Sequence, residues 1–389
     1  MPREDSKQRR TSATSGSATS SSAYTRNIST DASPGSLTTS ASTSIDSSSR
    51  QRSPFTILTG LIDRPMASEP HDWMLDLQLM HHYTTHTRYV LTESRDMAGL
   101  LRIWQEEAPK VAFKADYCMH AILGFTALHK AHLEPENAIM LRTSAVDHLD
   151  KALVRYREHG AVTTAENADA KFAFTWVVVL FAYAVPPSVP PIDAIVELFL
   201  LVKGIDSVLA DGWFWVSQGP FAPILAGGFQ EAITHQPNQD YTLPEGMDFG
   251  LNHLDYMLGV DAMMPDDRRI CALILAELKT VYDNVLGRNG STSVASIVCF
   301  PRQDSAPFSS LIRRRVPQAL VILAYYCVLL DVLDTRWWMH GWSRRVLRDV
   351  IGTLPENWQS WIEWPIQAVL MKPQSMGTTD STNQLGLLI

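Results

Sequence analysis

The sequence predicts an all-α protein with a low-complexity N-terminal tail. After residue 71, apolar residues recur at spacings of three and four along most of the chain, which is the period of amphipathic helices. No stretch alternates polar and apolar residues for long enough to predict a sheet, and no repeat of about 20–50 residues is evident. Between residues 11 and 53, 24 of 43 residues are Ser or Thr. That composition offers too little apolar surface to offset the entropy lost on folding, so it predicts disorder.

These patterns divide the chain into three parts. We predict a disordered tail and linker over residues 1–70, a helical domain over 71–375 and a C-terminal tail over 376–389. Asp72 is the expected N-cap of the first helix. The predicted helices cover about residues 72–91, 95–107, 115–132, 135–160, 166–184, 192–210, 251–260 and 265–286, with three more between 318 and 365. The Gly- and Pro-containing stretch 212–250 is predicted to be irregular, and Pro109 and Pro365 are predicted to end helices.

Charge and cysteine usage exclude several classes of protein. The net charge of the chain is −8, although residues 1–52 carry a charge of +3. The rest of the chain is therefore acidic, which does not favour a general nucleic-acid surface. The four cysteines lie far apart, which predicts neither a metal cluster nor a disulfide framework. The N-terminus lacks the apolar core of a signal peptide, and the most apolar runs are shorter than the roughly 20 residues of a bilayer span. We therefore expect a soluble intracellular protein without a membrane span.

Three histidines on the first predicted helix, His81, His82 and His86, raise the question of a metal site. His82 and His86 match the HxxxH part of a zinc helix, but a zinc protease requires Glu where Tyr83 stands. No third ligand can be named from the sequence. Histidines on a helix surface, or buried and hydrogen-bonded, are the favoured interpretation, and no metal is predicted.

Other candidate catalytic motifs are incomplete. Asp266 and Asp267 are similar to paired magnesium-binding carboxylates, but Ile270 stands where a third acid is needed, and acids are favoured at a helix start in any case. The basic run at residues 313–315 is more typical of an ion-paired turn than of a phosphate site. Cys118 and His120 would point to different sides of a helix. We predict no catalytic residue and no cofactor.

Residues 318–365 hold six of the eleven tryptophans in the chain. An aromatic-lined helical core either packs solid or encloses a pocket for an apolar ligand, and the residues alone favour the solid core. If a pocket exists, Tyr326, Trp338 and Trp342 are the predicted ligand-binding residues.

Six segments, taken in order, resemble the regulatory domain of fungal zinc-cluster (Zn2Cys6) transcription factors, and within them the group related to the sterol uptake control proteins. They are residues 77–87 (LQLMHHYTTHT), Trp104 with 109–113 (PKVAF), 120–132 (HAILGFTALHKAH), His148 with 152–156, 213–219, and the tryptophan-rich stretch 318–365. The resemblance covers about residues 72–370. It implies an all-helical domain that regulates transcription in the nucleus, often as a dimer, and that binds a lipid in a hydrophobic pocket in the sterol-responsive members. It implies no enzymatic activity.

One departure from that family concerns DNA. The family carries six closely spaced N-terminal cysteines that hold two zinc ions, whereas no cysteine precedes Cys118 here. Direct, sequence-specific DNA binding is therefore in doubt. Either a first part of the gene product is missing, or the protein acts through a DNA-binding partner. The expected partners are thus a sterol-like small molecule and a second copy of the chain or a DNA-binding protein. A helical enzyme or carrier for an apolar metabolite is the alternative function, and cytoplasm the alternative location.

Overall fold

The structure is a computed structural model that describes residues 72–91, 101–159, 162–228, 247–260, 263–287, 294–302 and 305–371. Throughout these ranges the regular structure is helical and contains no strand, which confirms the predicted all-α class. The predicted tails at 1–70 and 376–389 and the two domain boundaries lie outside the described residues.

Fourteen helices make up the described part of the chain. They are α1 (Trp73–His82), α2 (Ala108–Ala112), α3 (Asp116–Leu133), α4 (Ala138–His159), α5 (Ala168–Ala184), α6 (Pro191–Val216), α7 (Ala222–Gly228), α8 (Met247–Val260), α9 (Pro265–Gly287), α10 (Val294–Val298), α11 (Ser305–Arg313), α12 (Pro317–Val332), α13 (Trp342–Thr353) and α14 (Glu363–Leu370). Helix α1 continues through a π-helical turn (Tyr83–Thr87) and a last α-helical turn (Arg88–Val90). A second π turn (Ile103–Glu107) leads into α2, and 3-10 turns precede α4 (Pro135–Asn137) and α14 (Glu356–Ile362).

The start of α1 follows the sequence prediction. Asp72 Oδ1 accepts hydrogen bonds of 3.1 Å from the backbone N–H groups of Met74 and Leu75. These donors have no partner inside the helix, so the aspartate side chain satisfies the first turn as an N-cap.

Helices α5 and α12 form the centre of the fold. Their side chains are buried on all sides, over residues 170–183 of α5 and 318–330 of α12. Such helices are apolar all round because they have no solvent face. Helix α13, which packs on α12, instead buries Trp342, Val346 and Val350 and exposes Arg345 and Arg348. It is amphipathic, as the sequence predicts.

The prediction that residues 212–250 are irregular is wrong for most of the residues described there, and holds only for the turn at 217–221. Helix α6 runs on to Val216, α7 follows, and α8 already begins at Met247. The misleading signal is Gly212, which does not end a helix. A Cβ at Gly212 would lie 3.1 Å from Thr163 Cγ2 and 3.5 Å from Ala168 Cβ, so glycine is needed there for close packing.

The two prolines predicted to end helices also lie inside them. Pro365 is the third residue of α14, within the first turn, where its missing N–H leaves no bond unmade. Pro109 lies in α2 directly after the π turn Ile103–Glu107. The wider π turn relieves the clash between a proline ring and the preceding carbonyl groups, so the helix continues to Ala112.

Within the described ranges no single helix has the length and apolar character required to cross a bilayer. Helices α11 and α12 together have that length and apolar character, but the chain bends by 111° between them.

Candidate functional site

The three residues predicted to bind a ligand come together around Tyr183, near the end of α5. The Trp342 indole Nε1–H donates a 2.8 Å hydrogen bond to the Tyr183 backbone carbonyl, and the two rings meet edge to face at 5.6 Å between centroids. The Trp338 ring lies 6.1 Å from that of Tyr183. We call Tyr183, Tyr326, Trp338 and Trp342 the Tyr183 cluster. All four side chains are at most 2% exposed.

Tyr326 anchors this cluster to α10. Its hydroxyl donates a 2.8 Å hydrogen bond to the carbonyl of Ile297, and its ring packs 4.7 Å from Phe300 and 5.6 Å from Phe199. Burial, reinforced by the neighbouring Tyr183 hydroxyl, raises the pKa of Tyr326 well above its usual value. The phenol therefore stays protonated and acts as a hydrogen-bond donor.

Trp338 differs from Trp342 in one respect. Its Nε1–H is buried and has no hydrogen-bond partner within the described structure. Leaving such a donor unpaired costs about 1–3 kcal/mol. The Tyr183 hydroxyl is likewise buried without a hydrogen-bond partner among the described residues, so the Tyr183 cluster holds two unpaired polar groups. Whether the cluster encloses a ligand remains a prediction.

A second group of polar side chains lies where the π turn after α1 faces the C-terminal half of α3. The His82 and His86 rings stack with centroids 4.8 Å apart and planes 13° from parallel. The His129 ring of α3 lies 5.3 Å from that of His82, and His129 Nδ1 is 3.0 Å from the Thr87 hydroxyl. π turns are frequent at functional sites because the extra residue redirects side chains.

His82 and His86 border a cleft of about 520 Å³, which we call the histidine cleft. It is lined by Leu77, Gln78, His81, His82, Thr85, His86, Lys130 and Glu134. Lys130 and Glu134 form an ion pair one helical turn apart at the end of α3. His82 Nε2 is buried without a hydrogen-bond partner, and the side chain is 8% exposed.

The residues from α3 were missed by sequence reasoning. A signal was present, since His129 and His132 lie three apart on one predicted helix and His82 and His86 four apart on another. Periodicity within each helix does not reveal that the two helices face each other.

Burial sets the charge of the two inner histidines. It lowers the pKa of His82 to about 4, with smaller contributions in the same direction from His86 and Lys130, and Glu134 opposes them. Burial likewise lowers the pKa of His129 to about 3, assisted by His82 and His132. Both imidazoles are therefore neutral at pH 7.

The incomplete motifs have structural roles. Among the described residues no group of three or more His, Cys, Asp or Glu side chains is arranged to hold a metal ion. The Asp267 carboxylate pairs with the Arg314 guanidinium at 2.9 Å, and Asp193 with Arg315 at 2.9 Å, so the basic run is ion-paired as predicted. These contacts join α9 and α6 to the turn after α11.

All four cysteines are buried and unbridged. Burial raises the pKa of Cys118 and Cys271 to about 12 and that of Cys327 further still. A thiol held protonated in this way is a poor nucleophile.

No protein-family model matches the chain. It is 26% identical over 321 residues to a Zn(2)-C6 fungal-type transcription factor of Gibberella zeae, a match that covers 78% of this chain and 63% of the relative. It is 25% identical over 290 residues to sterol uptake control protein 2 of Candida albicans, covering 70% of this chain and 39% of that protein. A Zn(2)-C6 fungal-type transcription factor of Aspergillus fumigatus is 23% identical over 290 residues, with 69% and 72% covered. The chain thus spans less than two thirds of the first two relatives. These relatives confirm the resemblance found in the six sequence segments.

Proposed function

We propose that this chain, a distant relative of fungal zinc-cluster transcription factors, is the regulatory part of a transcriptional regulator that acts in the nucleus. The supporting observation is the alignment over 321 residues. It covers 78% of this chain and therefore includes most of the described helices. A relationship to transcription factors also favours a protein without enzymatic activity.

The finer proposal is that the Tyr183 cluster senses an apolar, sterol-like metabolite. One relative is named a sterol uptake control protein. The Trp338 Nε1–H and the Tyr183 hydroxyl, both unpaired in an aromatic core, suit a ligand that carries a hydroxyl on a hydrocarbon body.

Reporter transcription tests the regulatory function. The full chain would be fused to a bacterial DNA-binding domain and recruited to a reporter gene in a fungal host. We expect reporter transcription to change several-fold, and a tagged copy to occupy chromatin in the nucleus. An unchanged reporter, together with a deletion strain that loses one enzymatic step and no transcript, would contradict the proposal.

The contact with DNA is tested separately. Purified chain alone, and chain with proteins captured from nuclear extract, would be compared in a gel-shift assay. Retardation only with the captured proteins supports action through a DNA-binding partner. Size-exclusion chromatography with light scattering measures whether the chain dimerises.

Ligand sensing is tested by energy transfer from tryptophan to a fluorescent sterol. We expect Trp338→Phe to weaken sterol binding by about tenfold, because the variant keeps the aromatic ring and loses the N–H donor. Trp213→Phe, at a residue of α6 that is 38% exposed, is the matched control. Equal affinities of the two variants would rule out the Tyr183 cluster as the sensor.

The alternative, a helical enzyme or carrier, predicts converging polar groups with shifted pKa values in a pocket. The histidine cleft meets part of that description through His82. A base with a pKa of about 4 is weak at neutral pH, however, which favours a binding role over a catalytic one.

A further inference from the structure

The histidine cleft has no part in the proposed function and is built differently from the Tyr183 cluster. Its volume of about 520 Å³ lies within the range of small-molecule sites. Its walls combine one apolar side chain, Leu77, with imidazoles, an amide, a hydroxyl and an ion pair. Such a lining suits a ligand with one polar end and a small apolar body.

The strongest sign of a ligand is the His82 ring. Its Nε2 is buried without a partner, although the ring lines the cleft and the side chain is 8% exposed. A buried polar nitrogen without a partner is unfavourable, so a ligand atom that bonds to Nε2 recovers that loss. In the tautomer with the proton on Nε2, His82 is a donor to such an atom.

Further donors lie on the same cleft. The Lys130 ammonium group has three N–H donors, and one of them is used by Glu134. The Thr85 hydroxyl donates to the His81 carbonyl at 2.8 Å and lies 2.7 Å from His86 Nδ1, so the His86 Nδ1–H proton is used within the turn. The cleft therefore offers donors from both helices.

The lining favours an acceptor group on the ligand over a metal ion. Lys130 keeps N–H donors beyond the one used by Glu134, and His82 Nε2 lies unpaired beside it on the cleft lining. No group of metal-binding side chains is assembled within the described residues.

We propose that the histidine cleft binds a small organic acid. Its carboxylate accepts hydrogen bonds from Lys130 Nζ and His82 Nε2, and its apolar part lies against Leu77 and the His82–His86 stack. The cleft is far larger than an inorganic oxyanion, which is why the ligand is an organic one. The inference does not depend on the proposed role in transcription.

Titration of the full chain with benzoate, inorganic phosphate and zinc tests this assignment, with the histidine Hε1 NMR signals as the site-specific readout. We expect benzoate to shift the His82 and His86 signals and to bind more tightly than phosphate. Lys130→Met should weaken benzoate binding by about tenfold or more, the loss expected for a hydrogen bond to a charged group. Glu134→Gln should strengthen it several-fold, because it removes the carboxylate that competes for Lys130.

Lys110→Met is the matched control, since Lys110 of α2 pairs with Glu107 of the preceding π turn at 2.9 Å and lies outside the cleft lining. It should leave benzoate binding unchanged. Three results would each overturn the proposal: equal benzoate affinity in Lys130→Met and Lys110→Met, phosphate binding as tight as benzoate binding, or tight zinc binding that Glu134→Gln abolishes. Because Lys130→Met and Glu134→Gln are expected to act in opposite directions, a loss of folding in one variant cannot imitate the expected pattern.

Discussion

The Tyr183 cluster and the histidine cleft both bring aromatic rings together, but they differ in how their polar atoms are satisfied. In the Tyr183 cluster, Trp342 and Tyr326 each donate to a buried backbone carbonyl, while the Trp338 indole N–H and the Tyr183 hydroxyl are unpaired but closed off from solvent. In the cleft, the His82 and His86 rings stack beside solvent-accessible space, and His82 keeps an unpaired Nε2. A closed aromatic core mainly stabilises the fold, whereas an open polar cleft keeps its bonding capacity accessible to another molecule.

Removing a ring from the Tyr183 cluster should have the largest effect. Trp342→Ala leaves a cavity in the core and removes the hydrogen bond to Tyr183, so we expect a loss of about 3–5 kcal/mol in the free energy of unfolding. Denaturant unfolding followed by circular dichroism measures this loss. The exposed Trp213 provides the control, and Trp213→Ala should cost less than about 1 kcal/mol. Equal losses would show that the Tyr183 cluster is not the better packed region.

Acidification should lower the free energy of unfolding through the two buried histidines at the histidine cleft, His82 and His129. The pKa values of His82 and His129 are about 4 and 3 in the folded protein and about 6.5 when unfolded, so the unfolded chain binds more protons between these values. The free energy of unfolding therefore has its full contribution from these two histidines above pH 6.5, and it falls as the pH decreases towards 4. The ionisable groups that influence the two rings are His81, His86, Lys130, His132 and Glu134.

Between pH 7 and pH 5 we expect a loss of about 2–4 kcal/mol from the two histidines together. Denaturant midpoints measured across this range test it. In His82→Gln the pH dependence should shrink by about half, whereas in His81→Gln, at an exposed position, it should stay unchanged. A pH dependence that survives in a His82→Gln, His129→Gln double variant would assign it to other groups.

Two single hydrogen-bond deletions sharpen the comparison further. Tyr326→Phe removes the bond to Ile297 from the Tyr183 cluster, and Thr87→Val removes the bond to His129 behind the cleft. Both changes keep nearly the same shape, so each should cost about 1–2 kcal/mol of unfolding free energy. A cost for Thr87→Val more than twice that for Tyr326→Phe would place more hydrogen-bond stabilisation at the cleft than in the aromatic core.

The sequence predicted the fold class better than it predicted the sites. Apolar spacing identified the buried helices α5 and α12, because a helix without a solvent face has an unmistakable composition. Gly212 and Pro365 misled because the same residue types serve close packing or a first turn as readily as a helix end.

The histidine cleft was harder to predict for a different reason. Sequence periodicity assumes 3.6 residues per turn, and the π turn Tyr83–Thr87 breaks that period where His82 and His86 stack. His129 reaches His82 only through the packing of α3 against α1. Contacts of this kind depend on tertiary structure, which no local spacing encodes.

The burial of Cys118, Cys271, Cys299 and Cys327 has a practical consequence for experiments on this protein. Because thiolates rather than thiols react with maleimides, the native cysteines should stay unmodified while the chain is folded. One cysteine introduced at an exposed residue, such as Ile139, would then carry a fluorophore or spin label alone. Local motions, and distances once a second exposed cysteine is added, become measurable without first removing a single natural sulfur.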